Sequence, residues 1–157
     1  MKNLVVVCLV LSLAPVVFAY PPGPESFTLA DRVGEPSVRA FFRFSTSAGN
    51  YTIRHDGMGE VSSKGRRRVF YLKVGAKGRL ERIYFLEHQG DLFLLYQVRD
   101  QLSYLVRLEQ KRRKARWLTP LPDISALDQD PVINGDAVII GETIVISKAD
   151  GRVVRQD

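Results

Sequence analysis

Short apolar runs separated by turn residues follow one another along most of this chain. None keeps the 3.6-residue apolar period of a helix over three turns. The runs are rich in valine, isoleucine, phenylalanine, tyrosine and leucine, which favour strands, and glycine, asparagine and aspartate mark the turns between them. The predicted strands are Val38–Ser45, Asn50–Arg54, Arg68–Val74, Leu80–Glu87, Leu92–Arg99, Leu102–Glu109, Ala115–Leu118, Ala137–Ile140, Thr143–Ser147 and Arg152–Arg155.

The polarity pattern distinguishes two kinds of strand. Leu102–Glu109 alternates, which predicts an antiparallel strand with one buried face. Leu92–Tyr96 and Ala137–Ile140 do not alternate, which predicts cover on both faces. A single open sheet cannot provide that cover. We therefore predict an all-β fold in which an antiparallel meander forms an up-and-down barrel or a sandwich, with a propeller-like stack of short four-stranded blades as the alternative.

An internal repeat underlies the propeller alternative. Gly90-Asp91 precedes one hydrophobic strand, and Gly135-Asp136 precedes another in the same way. Over residues 78–157 these units resemble the β-propeller repeats of quinoprotein-dehydrogenase-like (PQQ-like) proteins, in which a Gly-Asp turn opens a hydrophobic strand. The resemblance implies a stack of blades and carries over no cofactor residues. Non-enzymatic members of that family act as protein-binding scaffolds in cell envelopes.

The first residues have the pattern of a secretory signal peptide. Lys2 supplies the positive charge, Leu4–Val17 is apolar, and Val17-Phe18-Ala19 offers small residues at a cleavage site. We predict a secreted or periplasmic protein after cleavage near Ala19, with no transmembrane segment in the mature chain. An uncleaved anchor and a lipid on Cys8 are less favoured, because the apolar run is short for a membrane span and Val7 is not small.

The predicted domains are a signal peptide at residues 1–19, a Pro-rich flexible segment at 20–36 and a single all-β domain at 37–157. Cys8 is the only cysteine, so the mature protein would have no disulfide, no thiol nucleophile and no cysteine-rich zinc site. His55 and His88 stand beside turns without converging ligands, and we interpret them as solvated. No serine lies in a nucleophile-elbow context. We therefore predict no enzymatic activity, no metal site and no cofactor.

Positive charge is concentrated in two clusters. The chain has 23 basic and 17 acidic residues, a net charge of +6, and both clusters are predicted to form exposed hairpin tips. Such tips suit a polyanion or a partner protein, although basic residues also protect strand edges. Nucleic acid is not favoured, because no aromatic residues interleave with the cations. The candidate binding residues are Lys64, Arg66, Arg67, Arg68, Lys111, Arg112, Arg113, Lys114 and Arg116.

Three functions are compatible with these patterns. The first is a secreted or periplasmic, non-enzymatic β-rich binding or scaffold module that engages a protein or an anionic envelope polymer. The second is a barrel-type carrier of a small apolar ligand, suggested by the aromatic residues Phe41, Phe42, Phe44, Phe70 and Tyr71. The third is a small hydrolase that would use the acidic residues of the 119–131 loop, namely Asp123, Asp128 and Asp130.

Overall fold

The structure of the protein is a computed structural model that describes residues 22–34, 40–99, 102–112, 114–122, 124 and 129–156. All regular structure in these ranges is β, arranged in three antiparallel sheets of five strands each. The predicted all-β, antiparallel class is therefore confirmed. The predicted signal peptide and Arg113, Asp123 and Asp128 lie outside the described residues.

The strands are short and follow one another closely along the chain. Their bounds are Glu25–Ser26 (β1), Thr28–Leu29 (β2), Asp31–Val33 (β3), Phe41–Thr46 (β4), Gly49–Arg54 (β5), Met58–Ser63 (β6), Arg66–Tyr71 (β7), Leu80–His88 (β8), Asp91–Val98 (β9), Ser103–Glu109 (β10), Lys114–Leu121 (β11), Val132–Asn134 (β12), Ala137–Ile140 (β13), Ile144–Ser147 (β14) and Val153–Gln156 (β15). The first sheet has the order β3-β4-β5-β6-β7, the middle sheet β2-β8-β9-β10-β11, and the last sheet β1-β12-β13-β14-β15.

Each sheet combines a four-stranded meander with one short strand from the N-terminal segment. β1 pairs with β12, β2 with β8, and β3 with β4, so residues 25–33 run along the same edge of all three sheets. Phe27 and Ala30, which lie between these short strands, are buried in the two cores. The segment 20–36 was predicted to be flexible and separate from the domain, yet over residues 25–33 it contributes a strand to every sheet. Strands of two or three residues carry too little periodicity to be detected in sequence.

The middle sheet is packed between the other two. In β9, Leu92, Leu94 and Tyr96 belong to the core shared with the first sheet, whereas Phe93 and Leu95 belong to the core shared with the last sheet. Every residue of β9 is buried, which confirms the predicted cover on both faces. The described strands thus stack in sandwich-like layers. The resemblance of residues 78–157 to propeller repeats stays a prediction.

Two strands differ from the burial predicted for them. β10 was predicted to have one buried face, but Ser103, Tyr104, Leu105 and Val106 are all buried because β10 belongs to the middle sheet. Conversely, β13 was predicted to be covered on both faces, but Ala137 and Ile139 are only partly buried. In the described part of the chain the last sheet is an outer layer, so only one face of β13 contacts a core.

Candidate functional site

The first and third turns of every meander lie at one end of the molecule, which we call the turn end. Hydrogen bonds between sheets establish this placement. The Ser47 amide, in the β4–β5 turn, donates to Glu87 Oε2 at 2.8 Å, beside the β8–β9 turn. Gln110, in the β10–β11 turn, accepts from Thr46 Oγ1 at 3.0 Å. Because a meander reverses direction at each turn, the β6–β7 tip also lies here. The described residues of both cationic clusters predicted from the sequence therefore lie at or next to the turn end.

A cleft of about 450 Å³ opens at the turn end between the first and middle sheets. Lys64, Arg66 and Arg68, three of the predicted binding residues, line it together with the buried polar residues Tyr51 and Gln110. We call this feature the cationic cleft.

Strand register explains why these arginines share one face. Arg68 is the cross-strand partner of Val61, and Arg66 is the partner of Ser63. Val61 belongs to the core between the first and middle sheets, and directly opposed residues share a face of the sheet. Arg66 and Arg68 therefore project toward the cleft. Arg67 projects to the other face, where its Nε lies 3.6 Å from Glu60 Oε1.

The cleft cations are not neutralised by neighbouring acids. Lys64, Arg66 and Arg68 are exposed. No carboxylate of the described residues lies within the 4.0 Å ion-pair distance of these three side chains. Their charge is therefore available to an anion that enters the cleft.

A hydrogen-bond network holds the polar residues beside the cleft. Gln110 Oε1 accepts from Tyr51 Oη at 3.1 Å, and Gln110 Nε2 donates to Glu87 Oε1 at 2.8 Å. Burial raises the pKa of Glu87, but hydrogen bonds from Ser47 and Gln110 outweigh it, and the net pKa is below the ordinary 4.5. Burial raises the pKa of Tyr51 to about 12, so its phenol stays neutral. The Glu87 carboxylate, which is bonded to the cleft residue Gln110, is thus ionised at neutral pH and already held by hydrogen-bond donors.

The second cationic cluster is more strongly paired than the first. Arg112 Nε lies 3.5 Å from Glu109 Oε1, and Arg116 Nη2 lies 3.6 Å from Glu109 Oε2. Lys111 and Lys114 are exposed and have no ion-pair partner among the residues that the structure describes. This cluster follows Gln110 directly and so borders the cationic cleft without lining it.

The interpretation of His88 as a solvated residue is wrong. Its side chain is only 8% exposed, with Nδ1 3.1 Å from Glu25 Oε1 and Nε2 3.2 Å from Lys148 Nζ. Lys148 Nζ also donates to the Gly135 carbonyl at 2.8 Å. His88, at the end of β8, therefore links the middle sheet to two parts of the last sheet, β1 and the turn that follows β14. No sequence signal near His88 indicates these partners, since they lie about 60 positions away along the chain.

A second buried polar group joins the middle and last sheets. Asp91 Oδ2 accepts from Arg107 Nε at 2.6 Å, and Arg107 Nη1 donates to the Lys148 carbonyl at 2.9 Å. The Arg107 guanidinium lies 5.5 Å from the centre of the Phe93 ring. Trp117 Nε1 donates to the same Lys148 carbonyl at 3.2 Å. These contacts fasten the β14–β15 turn to the middle sheet.

The aromatic residues suggested for an apolar ligand are divided between a core and a sheet edge. Phe42 and Phe44 are buried between the first and middle sheets, and Phe44 stacks on Phe85 at 4.4 Å. Tyr71, by contrast, is 76% exposed at the sheet edge. Of the three loop acids, only Asp130 lies among the described residues, where it is exposed. The aromatic residues predicted to hold an apolar ligand thus fill a core or lie at an edge.

The described part of the chain contains no helix long and apolar enough to cross a membrane. No protein-family model matches the sequence, and neither a curated protein nor a solved structure matches it.

Proposed function

We propose that this protein is a non-enzymatic binding or scaffold module that works in the secreted or periplasmic space and holds anionic groups of a protein or an envelope polymer in its cationic cleft. One observation carries the proposal: Lys64, Arg66 and Arg68 line a cleft of about 450 Å³ and have no acidic partner among the described residues.

The chemistry of the cleft suits carboxylate, sulfate or phosphate groups. The guanidinium groups of Arg66 and Arg68 can each donate two parallel hydrogen bonds to such an anion. A concave site lined by one sign of charge also focuses the electrostatic field and raises the local concentration of anions. The fixed amide of Gln110 adds a polar, uncharged neighbour.

The packing of the aromatic residues favours this function over the apolar-ligand carrier. Phe44 and Tyr51 stack at 4.9 Å within the core, so their surfaces are already covered by protein. The opposing interpretation of the cations is that they only keep strand edges soluble. Clustered placement in a cleft favours binding, because protection of an edge requires no concave site.

Replacing Lys64, Arg66 and Arg68 with glutamine should weaken binding to a sulfated polysaccharide about tenfold, since three exposed charge contacts contribute about 0.5 kcal/mol each. Retention on a column of that polymer, and its salt dependence, would measure the effect. The melting temperature should change little, because these side chains have no ion-pair partner to lose among the described residues.

A matched control removes the same number of charges from the opposite end. Arg32, Lys77 and Arg79 are exposed and lie away from the turn end, in β3 and in the connection between β7 and β8. The control variant with glutamine at these positions should keep most of the retention. Equal losses from the two triple variants would mean that net charge alone binds the polymer, and the proposed function would fail.

The compartment is part of the proposal and is tested separately. The apolar run Leu4–Val17 and the small residues of Val17-Phe18-Ala19 support cleavage before Tyr20. Mass spectrometry of the exported protein should find Tyr20 at the N-terminus. Recovery of the chain with Met1 intact in a membrane fraction would contradict export by cleavage.

A further inference from the structure

Strand β7 is an edge of the first sheet, and its turn determines which backbone groups face outward. Lys64 and Gly65 have φ angles of 49° and 73°, the signature of a two-residue type I′ turn. Such a turn makes its flanking residues, Ser63 and Arg66, a hydrogen-bonded pair. Hydrogen-bonded and non-hydrogen-bonded pairs then alternate along the ladder. This alternation makes Gly57 and Leu72 a hydrogen-bonded pair, and the Leu72 amide does donate to the Gly57 carbonyl at 2.9 Å.

Three residues of β7 consequently direct their backbone N–H and C=O groups away from β6. Arg67, Val69 and Tyr71 occupy the non-hydrogen-bonded positions. Within the described ranges no backbone group pairs with these outward groups. Val69 is 51% exposed and Tyr71 is 76% exposed, so the edge is open to solvent. An open edge of this kind is a template for an added strand.

The side chains of β7 specify the chemistry of that strand. Arg66, Arg67 and Arg68 occupy the half of β7 nearest the turn end, and Val69 and Tyr71 occupy the other half. Cross-strand neighbours approach within about 5 Å, so acidic residues of an added strand would meet the arginines on both faces. Apolar residues would meet Val69 and Tyr71.

We propose that the β7 edge binds an extended peptide segment of a partner protein, acidic in one half and apolar in the other, by adding it as a sixth strand to the first sheet. The proposal rests on the proposed function, because it assigns a partner class to the cations of the cleft. Carboxylates of the added strand would enter the cationic cleft beside Arg66 and Arg68. A sulfated polysaccharide has no peptide backbone to pair with β7, and it therefore serves as the comparison ligand.

The test separates backbone pairing from charge. The probe is a capped eight-residue peptide with glutamates in one half and alternating valine and threonine in the other, and its binding is measured by fluorescence anisotropy. Val69→Pro removes an outward N–H that the first sheet does not use, and proline is tolerated at such edge positions. Val69→Ala keeps the N–H and is the matched control. We expect Val69→Pro to bind the peptide about tenfold more weakly than Val69→Ala does. Both variants should bind the sulfated polysaccharide as the wild type does.

A second measurement keeps the test independent of the folding of the proline variant. One form of the peptide is N-methylated at its odd positions and a second form at its even positions. Because successive N–H groups of a strand point to opposite edges, only one form loses the N–H groups that face β7. The wild-type protein should bind that form about tenfold more weakly than the other. Equal binding of the two forms, or of Val69→Pro and Val69→Ala, would overturn strand addition.

The outcomes also distinguish this inference from the proposed function. In one outcome, the triple variant at Lys64, Arg66 and Arg68 is no longer retained by the polysaccharide, and the peptide binds neither the wild type nor the variant. The proposed function then stands and strand addition is wrong. If the triple variant keeps both ligands, the proposed function fails, and the inference fails with it.

Discussion

Replacing Leu94 with alanine is expected to lower the free energy of unfolding by about 2–5 kcal/mol. Leu94 is fully buried in β9, at the centre of the middle sheet. Its cross-strand neighbours are Phe85 and Val106, and all three contact the core shared with the first sheet. The loss combines the transfer free energy of the deleted methyl groups with the cost of the cavity that they leave. Urea unfolding followed by circular dichroism would measure it.

Leu102 provides the control for that experiment. It is 50% exposed and lies just before β10, so Leu102→Ala should change the free energy of unfolding by less than about 0.5 kcal/mol. A loss at Leu94 as small as the loss at Leu102 would contradict the placement of β9 between two cores.

Replacing Asp91 with alanine is expected to destabilise the protein by about 3–5 kcal/mol, because it leaves a largely buried arginine without its counter-ion. The Asp91 and Arg107 side chains are 7% and 18% exposed, and Asp91 Oδ2 lies 2.6 Å from Arg107 Nε. The same Asp91 oxygen also lies 3.4 Å from Arg116 Nε. Chemical denaturation of the variant would measure the loss.

The Glu60–Arg67 pair is the matched control for the buried pair. Its atoms are 3.6 Å apart, and its side chains are 34% and 78% exposed, so Glu60→Ala should cost less than about 1 kcal/mol. A similar cost at Asp91 and Glu60 would mean that solvent reaches the Asp91–Arg107 pair. Arg107 also donates a hydrogen bond to the Lys148 carbonyl, so the free energy lost in Asp91→Ala would reflect weaker contact between the middle and last sheets.

The two substitutions test different halves of the layered structure. Leu94 contacts the core between the first and middle sheets, whereas Asp91 and Arg107 act between the middle and last sheets. If each variant still unfolds in a single transition that different spectroscopic probes report at the same denaturant concentration, the three sheets unfold as one cooperative unit.

The turn end carries free positive charge because its acids are held by other groups. Glu87 accepts hydrogen bonds from Ser47 and Gln110, and Glu109 lies close to Arg112 and Arg116. The cations of the cleft are left without a described partner, at hairpin positions where binding residues are commonly found. A stable scaffold of stacked sheets holds these turns in place.

Local patterns in the sequence determined the class of fold and the position of the charge. The unbroken apolar run Leu92–Tyr96 predicted a strand covered on both faces, and β9 has that cover. Period-two alternation also predicted that Tyr104 and Val106 share one face, and both contact the same core. The clusters around Arg67 and Arg112 were predicted at hairpin tips, and both lie beside turns of the structure. These features depend on neighbouring residues, which a single sequence displays.

Only the tertiary structure decided what covers each strand and which distant residues meet. The burial of His88 depends on Glu25 and Lys148, each about 60 positions away, and no local pattern encodes either contact. The cationic cleft depends on Gln110 meeting Tyr51 across two sheets. The pairing of residues 25–33 with all three sheets likewise follows from the order in which the sheets stack. The physical reason is that the periodicity of a strand shows only which of its sides is apolar. Which distant residues pack against that side depends on how the sheets stack.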